Sequence, residues 1–484
     1  MLYRFRWVFC QLDALRHCFP PNLRQFLREL PETLDETYER ILKGINKAQK
    51  EDARRLLQCL TIAVRPLRVE ELAELLAFDF QSSSPGGIPK WREDWRWDNQ
   101  EEAVLSTCSS LITIIPRGDS RVVQFSHFSV KEYLTSSRLA RSPLGELSRF
   151  HIDLEPAHTT MAQACLAMLF LLDQHDGNSE AKVSPLVNYA AEHWVDHAQF
   201  EKVSFRVQDG MDDLFDNSKP HFAAWLQAHD IDERWSIFSP RSRDALGSPL
   251  YYAAFSGFYD LAERLIMKHP EQVNARGGHN LFALQAALYK RHFHIANLLY
   301  PHSAVVDVQG KYMNTPLHVA SFRGQIDIMG WLLDHGSDAN AQELTLQTPL
   351  HSAAYSANLE AFQILLEHNA DPNLQDHNGE TPLYRIISGY HPTKGNAVEI
   401  VRLLLAHGTD PNIRPRTRHS STPLHEASRV SSRGLLDIAQ LLLSYGATVD
   451  VKNNKGQTPF QLAESARHDE LTKLLLEHGA VPQP

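Results

Sequence analysis

Apolar positions fall along this chain in two rhythms. In the first half they mark separate amphipathic segments. Residues 30–42 (LPETLDETYERIL) open beside Pro31 and place Leu34, Tyr38, Ile41 and Leu42 on one helical face. Further helices are predicted over 52–63 and, past the break at Pro66, over 69–77. A polar loop with Gly and Pro follows from Gln81 to about Trp97, and Trp91, Trp95 and Trp97 are expected to pin its end. Residues 103–110 read as helix, 111–115 and 121–125 as strands about the turn 117–120, and 129–139 as helix again. Helices, a small hairpin and a closing helix predict a winged-helix-like unit. The longest apolar run, 164–172 (ACLAMLFLL), is far short of the roughly 20 residues a bilayer span needs, so it reads as a buried helix and no membrane partner is expected.

In the second half the pattern becomes periodic. Thr-Pro-Leu-His or a close variant opens units at Ser248, Phe282, Thr315, Thr348, Thr381, Thr422 and Thr458, at intervals of 34, 33, 33, 33, 41 and 36 residues. The threonine is placed to cap a first helix, and the proline suits its first position. Small residues such as Ala353 and Ala354 let neighbouring helices approach. Leucine pairs, Leu332-Leu333 through Leu475-Leu476, end the second helix and form a core that no unit buries alone. Gly336, Asn369, Gly408, Gly446 and Gly479 close that helix where a left-handed residue is wanted. This half resembles the ankyrin-repeat family, which implies a stack that binds another protein.

Histidine is abundant, with 25 residues, yet His318, His351 and His425 share one slot of the period and His335, His368, His407 and His478 another. Ligands spaced by a repeat march along a stack instead of converging on one ion, so no metal is expected and these rings are read as partners of capping and turn groups. Five isolated cysteines, Cys10, Cys18, Cys59, Cys108 and Cys165, fit reduced core thiols in the cytoplasm. A net charge of -10 repels a phosphate backbone. Glu70, Glu71, Glu74, Glu101 and Glu102 on the winged-helix helices add to that repulsion, so nucleic acid is not an expected partner. Ser126, His127 and Ser129 lack a nucleophile elbow, Arg117-Gly118-Asp119 reads as a tight turn, and no catalytic or cofactor-binding residue is assigned.

Departures from the period mark loops, which sit on one face of such a stack. Residues 388–396 (SGYHPTKGN) extend one unit, and 413–421 (IRPRTRHSS) form a hairpin with Arg414, Arg416 and Arg418. That hairpin is either a solvated loop kept soluble by charge or an electropositive finger for an acidic partner segment. The turn residues ahead of each Thr-Pro pair, Lys311, Tyr312, Glu343, Leu346, His377, Asn378, Asn453 and Lys455, complete the candidate protein contacts.

The strings FRWVFCQLDALRHC, LPETLDETYERIL, AVRPLRVEELAELLAFDF, VLSTCSSLITI and VQFSHFSVKEYLTSSRL resemble the region after the nucleotide-binding domain of fungal NACHT/ankyrin proteins of the STAND class. PLVNYAAEHWVDHA and KPHFAAWLQAHDID resemble that family's helical connector. The resemblance implies an effector, a NACHT ATPase, a winged helix, a connector and sensing repeats. The sequence departs from it by lacking any G-x-x-x-x-G-K-[ST], so neither ATPase activity nor effector output is carried over.

The expected architecture is mainly α. Residues 1–50 are read as the remnant of the helical region after a NACHT domain, 51–140 as winged helix, 141–240 as connector and 241–484 as about seven ankyrin repeats. The function expected is a non-enzymatic adaptor or sensor. The alternative is a decoy that docks on an intact NACHT-type NTPase through the first half.

Overall fold

The computed structural model describes residues 33–81, 87–108, 110–142, 145–172, 184–229, 231, 247–277, 282–307, 314–389, 396–416, 418–429 and 435–482. It divides into two compact units, residues 1–268 and 269–484.

The first unit opens with α1 (Leu34–Gly44), α2 (Lys50–Ile62) and α3 (Val69–Glu74), then a two-residue ladder of β1 (Phe78–Asp79) and β2 (Lys90–Trp91). Helix α1 starts where Thr33 and Glu36 satisfy each other's backbone N–H, at 3.2 and 3.3 Å. Helix α4 (Gln100–Cys108) leads into the hairpin of β3 (Ile112–Arg117) and β4 (Ser120–Phe125), which closes on Gly118 and Asp119. A third strand-like segment joins the hairpin, since Val123 N–H donates to Leu67 O at 2.9 Å. This is the winged-helix unit, and it differs from the expected pattern in two places. The closing helix breaks into α5 (Phe128–Leu134) and α6 (Ser137–Ala140), because the Ser136 hydroxyl caps a fresh start at Leu139 N. Of the loop tryptophans Trp91 donates its indole N–H to Glu74 at 3.2 Å, while Trp95 and Trp97 are 43% and 47% exposed, Trp95 with Arg92 over its ring.

A second correction concerns charge. Glu71 and Glu74 are buried rather than facing outward. Arg65 grips Glu71 with two hydrogen bonds of 2.8 Å, and Arg96 and Trp91 hold Glu74. These carboxylates organise the interior and repel nothing outside it.

After α7 (Gly145–Ser148), the connector is built on α8 (Leu154–Leu171) packed along α9 (Leu186–Ala198), followed by α10 (Val203–Arg206), α11 (Gln208–Leu214) and α12 (His221–Ala228). The apolar run read from the sequence forms the C-terminal half of α8, buried from Ala164 to Leu169, and Cys59 and Cys165 are buried core thiols. Burial pushes the Cys59 thiol up to about 12. On α9, His197 bonds Tyr189 Oη at 2.8 Å and His158 Nδ1 at 3.0 Å, and burial pushes it down to about 3. Tyr189 in turn accepts from Val64 N–H and lies under Arg65, which ties winged helix to connector. The opening helix pair of the repeat pattern, α13 (Pro249–Phe255) and α14 (Tyr259–Lys268), belongs to this unit. Trp194 stacks on Phe258 at 5.5 Å, Trp225 meets Tyr252 at 6.2 Å, and Arg264 pairs with Asp212 at 2.8 Å. Aromatic contacts of this kind contribute beyond the area they bury.

The second unit continues the pattern as six helix pairs. These are α15 and α16 (Ala283–Tyr289, Phe293–Leu299), α17 and α18 (Pro316–Arg323, Ile326–Asp334), and α19 and α20 (Pro349–Ser356, Leu359–Glu367). Then come α21 and α22 (Pro382–Ser388, Ala397–Ala406), α23 and α24 (Pro423–Arg429, Leu435–Ser444), and α25 and α26 (Pro459–Ser465, Asp469–Glu477). From α17 onward, first helices pack on first helices and second on second. Ala353, Leu350, Leu383, Leu365, Leu404, Leu442 and Leu475 are fully buried between them. Second helices end as expected, with Gly336 at φ 88° and Asn369 at φ 60°.

Histidine does more than cap. His351 Nδ1 accepts from Thr348 N–H at 3.2 Å, and its Nε2–H donates to Glu380 O of the next unit at 2.9 Å. His318 reaches Gln347 O and His425 reaches Gln457 O in the same way. The other set, His335, His368, His407 and His478, donates from Nδ1 to the carbonyl four residues back, at 2.6 to 3.0 Å.

This arrangement predicts acid sensitivity. Burial holds His351 neutral and pushes it down to about 4, so the group binds a proton less readily folded than unfolded. Its stabilising contribution is complete above the unfolded value of about 6.5 and is lost as pH falls toward 4, at most roughly 3 kcal/mol in all. Gln285 and Gln461 fill the same slot elsewhere and accept from the cap N–H at 3.2 and 3.0 Å. His351→Gln is therefore expected to fold and to lose less stability than the parent between pH 7 and 4.5 in urea titrations. Equal losses would remove the role assigned to His351.

Candidate functional site

Between a second helix and the next Thr-Pro lies a tight turn whose first residue organises it. Asp376 Oδ1 accepts from the backbone N–H groups of Asn378 and Glu380, both at 2.9 Å. Asn453 does the same for Lys455 and Gln457, at 2.9 and 3.0 Å. Glu343 Oε1 takes Thr345 N–H at 3.0 Å, and Glu343 N–H donates to Gln347 O. Two of the sequence-selected contacts, Glu343 and Asn453, thus spend their side chains on their own turn, and Asn453 is buried.

The turns are joined side by side. His377 N–H donates to Thr345 O at 2.9 Å, Arg416 N–H to Asn378 O at 2.7 Å, and Asn454 N–H to His419 O at 2.7 Å. Gly379 makes the middle joint possible, because a Cβ there would lie 2.8 Å from Arg416 N. His377, Leu346, Lys455, Arg414 and Arg416 are exposed along this row, and Asn378 is half-buried. Arg414 reaches Lys452 O at 3.4 Å. Lys311 and Tyr312, the side chain of Arg418 and residues 390–395 of the insertion lie outside the described residues.

Leu346 stands out in this row. It holds φ 60° at the turn position that glycine occupies as Gly379 and Gly456, and it is 45% exposed beside Leu344 at 63%. Left-handed backbone costs a non-glycine residue roughly 1–2 kcal/mol. Such strain, with the side chain in solvent, points to a demand other than folding.

Sequence reasoning missed a second feature. Arg385, on α21, reaches the buried Asp376 at 2.6 Å and Glu380 at 3.2 Å, and its other nitrogen donates to Tyr355 Oη at 2.7 Å. Aligning the units on their opening residue would have exposed it, since Tyr289, Phe322 and Tyr355 then fall in one column. Among the described residues there is no group of three or more His, Cys, Asp or Glu able to hold a metal ion, and no helix long and apolar enough to cross a membrane.

Comparison with known proteins finds two family profiles along the chain. A profile described as "Ankyrin repeats (3 copies)" matches residues 250–343, 336–415 and 393–483. A second, described as "GPI inositol-deacylase, winged helix domain", matches residues 38–144. The "Azaphilone pigments biosynthesis cluster protein L" of Monascus ruber is 33% identical over 296 residues, 57% of this chain and 61% of that protein. Human "Ankyrin repeat and SOCS box protein 16" is 41% identical over 88 residues, 17% of this chain and 18% of that protein. This chain thus matches less than two thirds of the length of either relative. The ankyrin repeat domain of Bcl-3 overlays with a TM-score of 0.42 and 26% identity, over 48% of this chain and 98% of that one. The chain carries ankyrin repeats and a winged-helix domain.

The strained leucine gives a direct test. Leu346→Gly is expected to raise stability by about 1 kcal/mol, since relief of left-handed strain outweighs glycine's greater chain entropy. Denaturant titration checks it, and a destabilised variant would show that Leu346 serves the fold.

Proposed function

We propose that this chain is a non-enzymatic adaptor or sensor that holds a protein partner on the row of turns in its ankyrin stack. In this reading it is the sensing arm of a STAND-type signalling architecture and works in the cytoplasm without nucleotide turnover. The observation that carries it is the row itself. Three of the four described turns from residue 343 on are locked by their own buried or half-buried side chain and all four are hydrogen-bonded to a neighbour, so exposed side chains such as His377 and Lys455 are presented at little entropic cost. Support also comes from Leu346, which holds left-handed backbone with its side chain in solvent.

A second reading, a decoy that docks on a NACHT-type NTPase through the first half, has an observation of its own. Trp95, Trp97 and Phe128 are 43%, 47% and 55% exposed in the winged-helix region, and large exposed aromatics favour an interface.

Both readings are tested by installing a photo-crosslinker in the full chain at Lys455, at Trp97 or at the exposed Gln363 of α20, and exposing it to extract from the source cells. A discrete adduct from Lys455 alone, weakened about tenfold by R414E/R416E/R418E, is the expected result. An adduct from Trp97 alone moves the assignment to the decoy reading, and one from Gln363 alone rejects both. Saturable magnesium-dependent ATP turnover by the purified chain would overturn the non-enzyme assignment.

A further inference from the structure

The connector carries a cleft that neither functional reading uses. Thr159, Thr160 and Gln163 of α8 line one wall, and Phe205 of α10 with Gln208 and Asp209 of α11 line the other. The space between them is about 500 Å³, within the range of sites that hold a small ligand or one long side chain. Its walls are fixed. Arg206 of α10 donates to Glu155 of α8 at 2.6 Å, which joins them, and the Gln163 amide donates to Gly87 O at 2.9 Å. Gly210, next to Asp209, lets α11 lie against α8, because a Cβ there would fall 3.2 Å from Leu166 and closer still to Ile88.

The groups this cleft offers a guest are mostly acceptors. The Thr159 and Thr160 hydroxyls spend their protons on Glu155 O and Pro156 O, at 2.8 and 2.9 Å, and keep their lone pairs. Gln163, having donated to Gly87, retains its carbonyl oxygen. The side chains of Gln208 and Asp209 make no hydrogen bond or ion pair among the described residues. Charge points the same way. Glu155 neutralises Arg206, so the Asp209 carboxylate leaves the cleft with an excess negative charge. Beside these acceptors the Phe205 ring is 65% exposed, and the face of an aromatic ring attracts a cation. An ammonium is a compact point charge with three donors. A guanidinium is a plane with five donors that stacks on aromatic rings, so it reaches acceptors on both walls while covering the ring.

We propose that this cleft binds a guanidinium cation, with Asp209 as its counter-charge, the amide and hydroxyl oxygens as acceptors, and Phe205 against its face. The site lies in the first unit and is separate from the row of turns.

Isothermal titration calorimetry on the full chain tests it with two sources of the same group, arginine amide and the peptide acetyl-Ala-Ala-Arg-Ala-Ala-amide. Saturable binding of at least one probe is expected, weakened by salt, about tenfold weaker when lysine replaces arginine in the probe and lost when the neutral citrulline does. Tighter binding of the peptide assigns the guanidinium to a protein partner, and tighter binding of arginine amide assigns it to a free small molecule. D209N and F205A are each expected to weaken binding about tenfold, while D437N, at an exposed position on α24, leaves it unchanged. Asp209 and Phe205 are exposed, and an unchanged thermal melt verifies the fold. Absence of saturable binding, equal affinity for the citrulline probes, or the same affinity in D209N, F205A and D437N overturns the proposal.

Discussion

Three joints of the repeat half depend on one hydrogen-bonding group, the imidazole three residues into a first helix. Its Nδ1 accepts from the backbone that opens its own unit, and its Nε2–H donates to the carbonyl that closes the turn of the next. A helix N-terminus has unsatisfied N–H groups, and a turn has carbonyls with no intrinsic partner. A single buried neutral ring serves both and so couples neighbours that hydrophobic contact alone would leave free to slide. Where tyrosine replaces the ring the geometry changes. Tyr384 fills the slot in the unit of 41 residues, and its longer reach carries the hydroxyl past the turn to Glu426 at 3.0 Å. The turn ahead of Thr422 is the one where His419 and Ser420 take left-handed backbone.

What the sequence made legible was local. Helix starts, helix stops and the period itself depend on residues within four positions of each other, and Thr348, Pro349 and Gly336 state them directly. The hairpin of residues 112–125 was readable for the same reason. Partners set by folding were not. Glu71 and Glu74 look like a solvent-facing acidic stripe because their spacing on α3 is helical, yet Arg65, Arg96 and Trp91 turn them into interior groups. Exposure of Trp95 and Trp97 was equally hidden, since composition favours burying tryptophan and only the geometry of β2 decides which one turns inward.

The candidate turns show the same split at finer scale. Position in the period located the row, but it could not separate side chains that face outward from those that build the turn. Asn453 and Asp376 carry the Asx bonding of their own loops, whereas Lys455 and His377, one or two residues on, remain outside. Leu346 became conspicuous only beside Gly379 and Gly456, a comparison that requires the φ angle as well as the alignment.

A stack of this kind resolves a conflict between folding and recognition by assigning them to different positions of one period. Leucine pairs, the bridging imidazoles and the turn carboxylates are consumed by packing and satisfy nearly every demand of the backbone. The column holding Tyr289, Phe322 and Tyr355 lies outside that set, and its rings contact Arg323, Arg385 and one another. Exposed aromatic area is costly to leave in water, at about 25 cal/mol per Å² of apolar surface. Its arrangement across consecutive units, braced from beneath by a buried ion pair, is the form expected of residues whose partner lies outside the chain.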